Sequence, residues 1–403
     1  MKIFDRKYET MARPELAQLQ LERLQALIAR LRRNVRRCRE TLGDFQLKSL
    51  ADVEKIPFTE PDDLVKAFPY GMFALPLREV IRLHSAVGPE GRQLVIGHTR
   101  NDLTQWGKLV ARQLAAANVA DHDVIQICLE SGIFTGALGY TLGAEMIEAS
   151  VIPEDPFHIE YQLAMLQNYR VTVLITTPSN ARELVDLLEA RKLDSQALNL
   201  LTVLLSRPVP PAEREALHAG LFAQIRCGFG ISEILDPGLC VECAEGCLHV
   251  NEDHFFVEEH QGELVVTTLC REAMPLLRYR TRVGCELRRD KCDCGRTGAI
   301  LVPGKRLDGR LRVNERPLYA SQVQEVLTRT RAKGLPFRLE ITERGVVITL
   351  PVTPSLFSDT MRVLVDLQQH IESEVLARLG IPAEVRYTSP TGFEADTASA
   401  PPA

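Results

Sequence analysis

The sequence predicts an α/β chain in two parts: a large N-terminal α/β body carrying a β-rich subdomain, and a small C-terminal α+β unit. Three observations carry that prediction. Apolar strand-like runs alternate with helix-period segments between residues 80 and 205; short β-like runs dominate after about residue 250; and a separate helix–strand–strand–helix–strand order begins after residue 304. Alternation of the first kind builds parallel layers, in which ligands sit beyond the carboxyl ends of the strands.

Residues 14 to about 40 are expected to form one long helix, because Leu16, Leu19, Leu21, Leu24, Leu27, Ile28 and Leu31 recur near helical spacing. The basic run Arg30-Leu31-Arg32-Arg33-Asn34-Val35-Arg36-Arg37 inside it reads as a solvated helix face. Thr59, with acidic residues behind it, marks a helix start. Strands are expected at 80–83 and 94–97, then a helix over 99–117 and a buried strand at 124–128. A helix at 132–149, a short strand at 150–152, a helix at 159–169 and a strand at 171–175 extend the pattern, and 181–190 with 201–205 continues it. The β-rich runs are 254–258, 263–269 and 276–279. In the last unit a helix begins near Ser321, strands follow at 337–342 and 345–350, and a long helix over 356–379 precedes a final strand at 383–387. The stretch 389–403 is rich in Pro, Ser, Thr and Ala and is expected to be disordered. The expected domains are therefore 1–304, with the β-rich subdomain at about 236–304, and 305–388, followed by the tail 389–403.

Composition narrows the classes. With 403 residues, 45% hydrophobic and 25% charged, the chain is an ordinary globular protein of more than one domain. A formal net charge of −5, with no clustered basic and aromatic face, disfavours nucleic acid and membrane surfaces as partners. The sequence has neither an 18-residue apolar run nor a secretion signal at its start, so the cytoplasm is the expected compartment. A homodimer stays open.

Two clusters carry candidate chemistry. The glycine-bearing stretch His84-Ser85-Ala86-Val87-Gly88-Pro89-Glu90-Gly91-Arg92 lies between two apolar strands. It is read either as a plain hairpin loop or as an anion nest, with Gly88 and Gly91 freeing backbone N–H groups and Arg92 adding charge. Seven of the ten cysteines crowd residues 240–294, which in a reducing compartment points to metal before disulfides. Cys243, His249, Cys292 and Cys294 make a one-histidine, three-thiolate set suited to tetrahedral Zn²⁺ in a closed structural site. Two alternatives remain: cysteines that are simply buried, and an iron–sulfur cluster on Cys240, Cys243 and Cys247 with one of Cys292 or Cys294.

A family resemblance runs from about residue 50 to 325. Val95-Ile96-Gly97-His98-Thr99 with Asp102, Gly132-Ile133-Phe134-Thr135-Gly136-Ala137-Leu138-Gly139, Thr177-Pro178-Ser179, and Phe229-Gly230-Ile231-Ser232-Glu233 follow one another in order. Leu248-His249-Val250-Asn251-Glu252-Asp253-His254-Phe255, Tyr279-Arg280-Thr281 and Cys292-Asp293-Cys294-Gly295-Arg296-Thr297 complete the series. The series resembles the phenylacetate-CoA ligases, AMP-forming acyl-CoA ligases of the adenylate-forming superfamily. That resemblance implies a large body with a small C-terminal lid, ATP with Mg²⁺ converting a small aromatic or acyl carboxylic acid to its adenylate, and coenzyme A as acceptor.

Carried over residue by residue, the resemblance places Glu233 near Mg²⁺ and Ser232 near the α-phosphate as catalytic groups. Phe229, Gly230 and Ile231 border adenine, while Gly88, Gly91 and Arg92 stand in the phosphate loop. Arg306 and Asp308 lie near the domain junction, and Ile133, Phe134, Thr135, Gly136 and Ala137 wall the acid pocket. From the residues alone, Ser232-Glu233 is as readily a helix cap, Arg306 a surface ion-pair partner, and 133–137 ordinary helix packing. The family's metal-binding Cys-His and Cys-x-Cys elements resemble Cys243, His249, Cys292 and Cys294. Four departures stand against this pattern. The ribose-binding Asp expected after Arg282 is Val283, which accepts no hydrogen bond; the phosphate loop lacks its Ser/Thr run; the hinge position is Gly309; and no lysine follows Lys333. A second reading therefore stands beside the ligase: a non-catalytic binding or maturation protein on the same scaffold.

Overall fold

The computed structural model describes residues 2–129, 136–154, 158–313, 316–342, 345–352, 361–389 and 393. The chain divides into two compact units, Met1–Ala86 with Gln93–Lys305, and Val87–Arg92 with Arg306–Ala403.

The first unit opens with helices α1 (Arg6–Glu9), α2 (Arg13–Asn34), α3 (Arg36–Leu42) and α4 (Pro61–Lys66). Strands β1 (Arg82–Val87) and β2 (Gln93–His98) then pair as a small two-stranded sheet. The α/β layer follows as α5 (Arg100–Ala116), β3 (Val124–Cys128), α6 (Gly136–Met146), β4 (Ser150–Glu154), α7 (Ile159–Asn168), β5 (Val173–Thr176), α8 (Pro178–Arg191), β6 (Thr202–Leu205), α9 (Pro211–Leu221) and β7 (Gln224–Cys227). Its five strands are parallel in the order β4-β3-β5-β6-β7. Every residue of β5 and β6 is buried, as expected for strands covered on both faces. The β-rich part is a six-stranded sheet, β10-β11-β12-β13-β9-β8, built from β8 (Cys240–Glu242), β9 (Leu248–Val250), β10 (Phe255–His260), β11 (Glu263–Thr268), β12 (Tyr279–Arg288) and β13 (Ile300–Arg306).

The second unit holds β14 (Leu311–Val313), β15 (Arg316–Leu318), α10 (Ala320–Leu327), β16 (Arg338–Ile341), β17 (Val346–Pro351), α11 (Met361–Leu379) and β18 (Ala383–Thr388). Its core gathers Val323, Leu327, Ile348, Leu350, Ile371, Val375 and Val385 against the three-stranded sheet β16-β17-β18.

The α/β class holds, and several local expectations are corrected. The long first helix breaks at Val35, which is extended (φ −109°, ψ 115°) between α2 and α3. Asn34 and the β-branched Val35 are both poor in a helix interior, and Val35 is buried at the bend. Thr59 is not a helix cap. It forms a bridge with Tyr279 and its hydroxyl donates to the Leu277 carbonyl at 2.7 Å, while Glu60 and Asp63 cap α4 with Pro61 as its first residue. By contrast Thr99 caps α5, accepting from the Asp102 N–H at 3.0 Å. Within the tail expected to be disordered, Phe393 is buried, with the Arg338 guanidinium carbon 4.5 Å from its ring centroid.

Candidate active site and metal centre

The segment Phe229–Glu233 leaves the carboxyl end of β7, the edge strand of the parallel sheet, where ligands collect in open α/β sheets. It folds into a tight turn, with the N–H groups of Ile234 and Leu235 both donating to the Ile231 carbonyl at 2.8 Å. Gly230 is needed there: a Cβ would lie 2.5 Å from the Leu235 carbonyl oxygen and 2.6 Å from the Asp236 Cα. Phe229 and Ser232 are half-buried and Ile231 is buried. Glu233 is buried too, and accepts from the Tyr279 hydroxyl at 3.3 Å. That bond joins two segments far apart in sequence, the adenylate-like turn and the start of β12.

Other segments quoted from the sequence line the same layer. Thr177 caps α8 through the Asn180 N–H at 3.1 Å, immediately beyond β5. Gly136 and Ala137 open α6, which crosses α5 closely; a Cβ at Gly139 would meet the Trp106 ring at 2.6 Å. Ile133, Phe134 and Thr135 lie outside the described residues. Val283, where the resemblance leads one to expect the ribose-binding Asp, is buried in the main apolar core of the body.

The glycine loop does not form an anion nest. The Gly88 N–H donates to Arg92 O at 2.7 Å, Gly91 to Gly88 O at 3.2 Å and Arg92 to Pro89 O at 3.0 Å, so these donors close a hairpin turn. The Arg92 guanidinium leans on Glu90 at 3.7 Å, and the Gln322 side chain of α10 lies where a Gly91 Cβ would stand. Arg306 and Asp308, also in the second unit, pair with each other, Nε to Oδ1 at 3.1 Å, and Tyr319 donates to Asp308 at 3.3 Å. Asp308 is held below the usual carboxylate range: burial opposes ionisation, but Arg306 and Arg310 outweigh it.

In the β-rich sheet, Cys243, His249, Cys292 and Cys294 converge, their ligand atoms all within 4.8 Å of one another. Cys243 Sγ is 3.8 Å from Cys292 Sγ, and Cys294 Sγ is 3.3 Å from His249 Nε2. Tetrahedral Zn²⁺ with bonds of about 2.3 Å to sulfur and 2.0–2.1 Å to nitrogen puts its ligand atoms about 3.5–3.8 Å apart, so this set fits the ion. His249 Nδ1 is 3.0 Å from the Gly298 carbonyl; donating to it makes Nε2 the lone-pair nitrogen, the usual carbonyl support of a metal-bound imidazole. Burial and the nearby Arg296 keep His249 neutral, although its carbonyl bond opposes them. The Arg296 N–H donates to Cys294 Sγ at 3.4 Å. Burial, with the neighbouring thiols of Cys292 and Cys243, pushes the Cys294 thiol up to about 12. The iron–sulfur arrangement is not formed. Cys240 opens β8 and Cys243 follows its last residue, and an odd step along extended chain reverses the face, so Cys240 is fully buried in the main core.

One group escaped the sequence reading. Arg112 of α5, only 2% exposed, makes two 2.9 Å bonds to Asp253 and one of 3.1 Å to Asn251. Asn251 donates to Gly238 O at 2.9 Å, Glu252 pairs with Arg13, and the Gln20 amide donates to Glu252 O at 2.8 Å. Asn251-Glu252-Asp253 thus knots α2, α5 and the segment after the adenylate-like turn. Asn251-Glu252-Asp253 stood in one of the family-like segments, but nothing in the sequence pointed to Arg112 as their partner.

The fold is that of the adenylate-forming CoA ligases. A 2-hydroxyisobutyryl-CoA ligase, solved with 2-HIB-AMP and CoA in its thioesterification state, matches with a TM-score of 0.86 at 19% identity, covering 98% of this chain and 94% of that one. No family model matches the sequence. The phenylacetate-coenzyme A ligase of Thermus thermophilus is 36% identical over 346 residues, covering 81% of this chain and 78% of that protein. That of Aromatoleum evansii is 30% identical, covering 96% and 93%. The chain belongs to the phenylacetate-CoA ligase family, and in class it is an AMP-forming CoA ligase.

Proposed function

We propose that this enzyme activates a small aromatic or acyl carboxylic acid, phenylacetate-like in size, with ATP and Mg²⁺, and passes the acyl group to coenzyme A. The observation that carries the reading is Glu233: a buried carboxylate presented just beyond β7 and oriented by the Tyr279 hydroxyl. A carboxylate so fixed suits a hard divalent cation, and the half-buried Ser232 hydroxyl beside it suits a phosphoryl oxygen. Phe229 offers an aromatic face to adenine, and Gly230 lets the backbone approach closely. When bound, ATP–Mg²⁺ supplies the leaving group and neutralises its charge. The acid enters beside the start of α6, at Gly136 and Ala137. We place the chain in the cytoplasm, where ten free cysteines persist reduced.

Zn²⁺ is assigned a structural role on Cys243, His249, Cys292 and Cys294: with four protein donors no position is left for substrate.

Pyrophosphate release over a panel of aryl and aliphatic acids tests the reading. Glu233→Gln should lower release at least 10²-fold and weaken ATP–Mg²⁺ binding in isothermal titration. Val283 favours a second reading, a scaffold that no longer turns ATP over, because an apolar side chain packed into the core stands at the ribose position. Absence of ATP binding heat at millimolar concentration, with no pyrophosphate released from any acid, would select it.

A further inference from the structure

A fifth donor, the sulfur of Cys247, borders the four-donor metal cluster. The hairpin of β8 and β9 pairs Cys240 with Val250, Val241 with His249 and Glu242 with Leu248, so the next rung sets Cys243 opposite Cys247. The Cys243 N–H donates to the Cys247 carbonyl at 2.9 Å, and Gly246 (φ +73°) closes the turn between them. Side chains two residues apart on a strand share a face, so Cys247 and His249 point the same way, with Cys243 across from them. The Cys247 thiol reaches the Glu245 carbonyl at 4.0 Å, while Cys243 Sγ meets Cys292 Sγ at 3.8 Å. Cys247 is half-buried and packs against the apolar cluster of Cys243, Cys292 and Ile300. A fifth donor, a soft one, therefore stands at the edge of a centre that accepts four.

We infer that Cys247 is a reserve ligand: it takes the fourth position when His249 is absent, or when a softer ion favours sulfur over nitrogen, converting a Cys₃His centre into Cys₄. On binding, the Cys247 thiol releases its proton to solvent and its sulfur occupies the place of the imidazole Nε2. The ligand class is a thiophilic divalent cation: zinc, cobalt or cadmium. The inference rests on the metal assignment proposed above.

The test loads the full chain with cobalt and reads thiolate-to-cobalt absorbance, which rises with the number of bound sulfurs, together with metal stoichiometry. Wild type and Cys247→Ala should each hold one cobalt with a three-thiolate intensity. His249→Ala should keep one cobalt with a four-thiolate intensity, about a third higher. The double variant His249→Ala/Cys247→Ala should bind at least about 10²-fold more weakly than His249→Ala. Equal weak binding by His249→Ala and the double variant, or loss of metal in Cys247→Ala alone, overturns the inference. Cadmium titration of wild type and Cys247→Ala avoids the His249 variants, should those fail to fold. Its sulfur-to-cadmium absorbance should exceed that of Cys247→Ala by one thiolate, and equality overturns the inference as well. A wild-type chain that binds none of these ions defeats instead the metal assignment beneath it.

Discussion

Asp253→Ala removes the carboxylate that holds Arg112, and its cost follows from the geometry. Two bonds of 2.9 Å join groups whose side chains are each 2% exposed, so water cannot replace the lost partner. Breaking a buried pair from one side costs about 3–5 kcal/mol, because a cation remains without its anion. Here Arg112 keeps Asn251 and Asp5, each at 3.1 Å, which places the expected loss near the lower end, about 3 kcal/mol. Asp5→Ala, at a carboxylate 30% exposed, should cost no more than about 1 kcal/mol. Replacing both partners, Arg112→Met with Asp253→Leu, should cost less than Asp253→Ala alone, since no charge is left buried. Urea unfolding followed by fluorescence suits the comparison. Trp106 is the sole tryptophan, fully buried, and its indole N–H donates to the Pro237 carbonyl within the same unit. A loss below about 1 kcal/mol for Asp253→Ala, or a double variant as unstable as the single one, would refute the argument.

Three further outcomes are expected. Burial pushes His254 down to about 4, against the raising influence of Asp253. The unfolded chain therefore takes up a proton that the folded one refuses between about pH 6.5 and 4; stability is full above that window and falls by about 3 kcal/mol as pH drops through it. His254→Gln should flatten that part of a pH-dependent unfolding curve. Chelation, or Cys292→Ser, should expose the N-terminal segment to trypsin near Arg6, Lys7 and Arg13. Arg296 and Thr297, beside the metal ligands, hold Glu9 at 2.8 Å and the Met11 carbonyl at 2.7 Å; unchanged protection counts against metal control of that clasp. Val283→Asp should tighten ATP binding about 10-fold or more, the value of a hydrogen bond to a charged acceptor, at some cost in stability. No change in titrated affinity would mean that residue 283 does not face the ribose.

Legibility in the sequence followed the range of the interactions involved. The strand Val124–Cys128 is apolar at every position but Gln126 and the cap Thr99–Asp102 is a local hydroxyl–carboxylate pattern, so both could be read directly. The cysteine–histidine set was readable because sulfur ligands carry their chemistry in residue type and short spacing. The three-residue strands β8 and β9 escaped because they are too short to show a period, and α9 with β7 was not named for the lack of a strong apolar run. The break at Val35 was written locally in Asn34 and Val35 but masked by the leucine repeat, whereas the diversion of Thr59 into a bridge with Tyr279 is a tertiary effect from a segment more than 200 residues away. The glycine loop stayed open between two readings for a different reason. Glycine permits a nest and a tight hairpin equally, and only the partners of its N–H groups distinguish them.

The structural devices around the adenylate-like turn explain why a metal hairpin should follow it in sequence. Phe229 to Cys243 must present Glu233 in one place, yet the segment itself contains little regular structure. Its far end is fixed from three directions: Trp106 bonds the Pro237 carbonyl, Asn251 bonds the Gly238 carbonyl at 2.9 Å, and Cys240 enters the core as the first residue of β8. Asn251 is itself anchored by Arg112, and β9, which leads into it, begins beside the Cys243–His249 donors. Loosening the metal set would therefore act on Glu233 through Asn251 and Gly238 rather than by direct contact. A metal-depleted enzyme should lose positioning of the carboxylate, seen as a lower kcat, before it loses the Trp106 environment, seen in fluorescence. If kcat and fluorescence instead fall together, the hairpin supports the whole body and not the turn in particular.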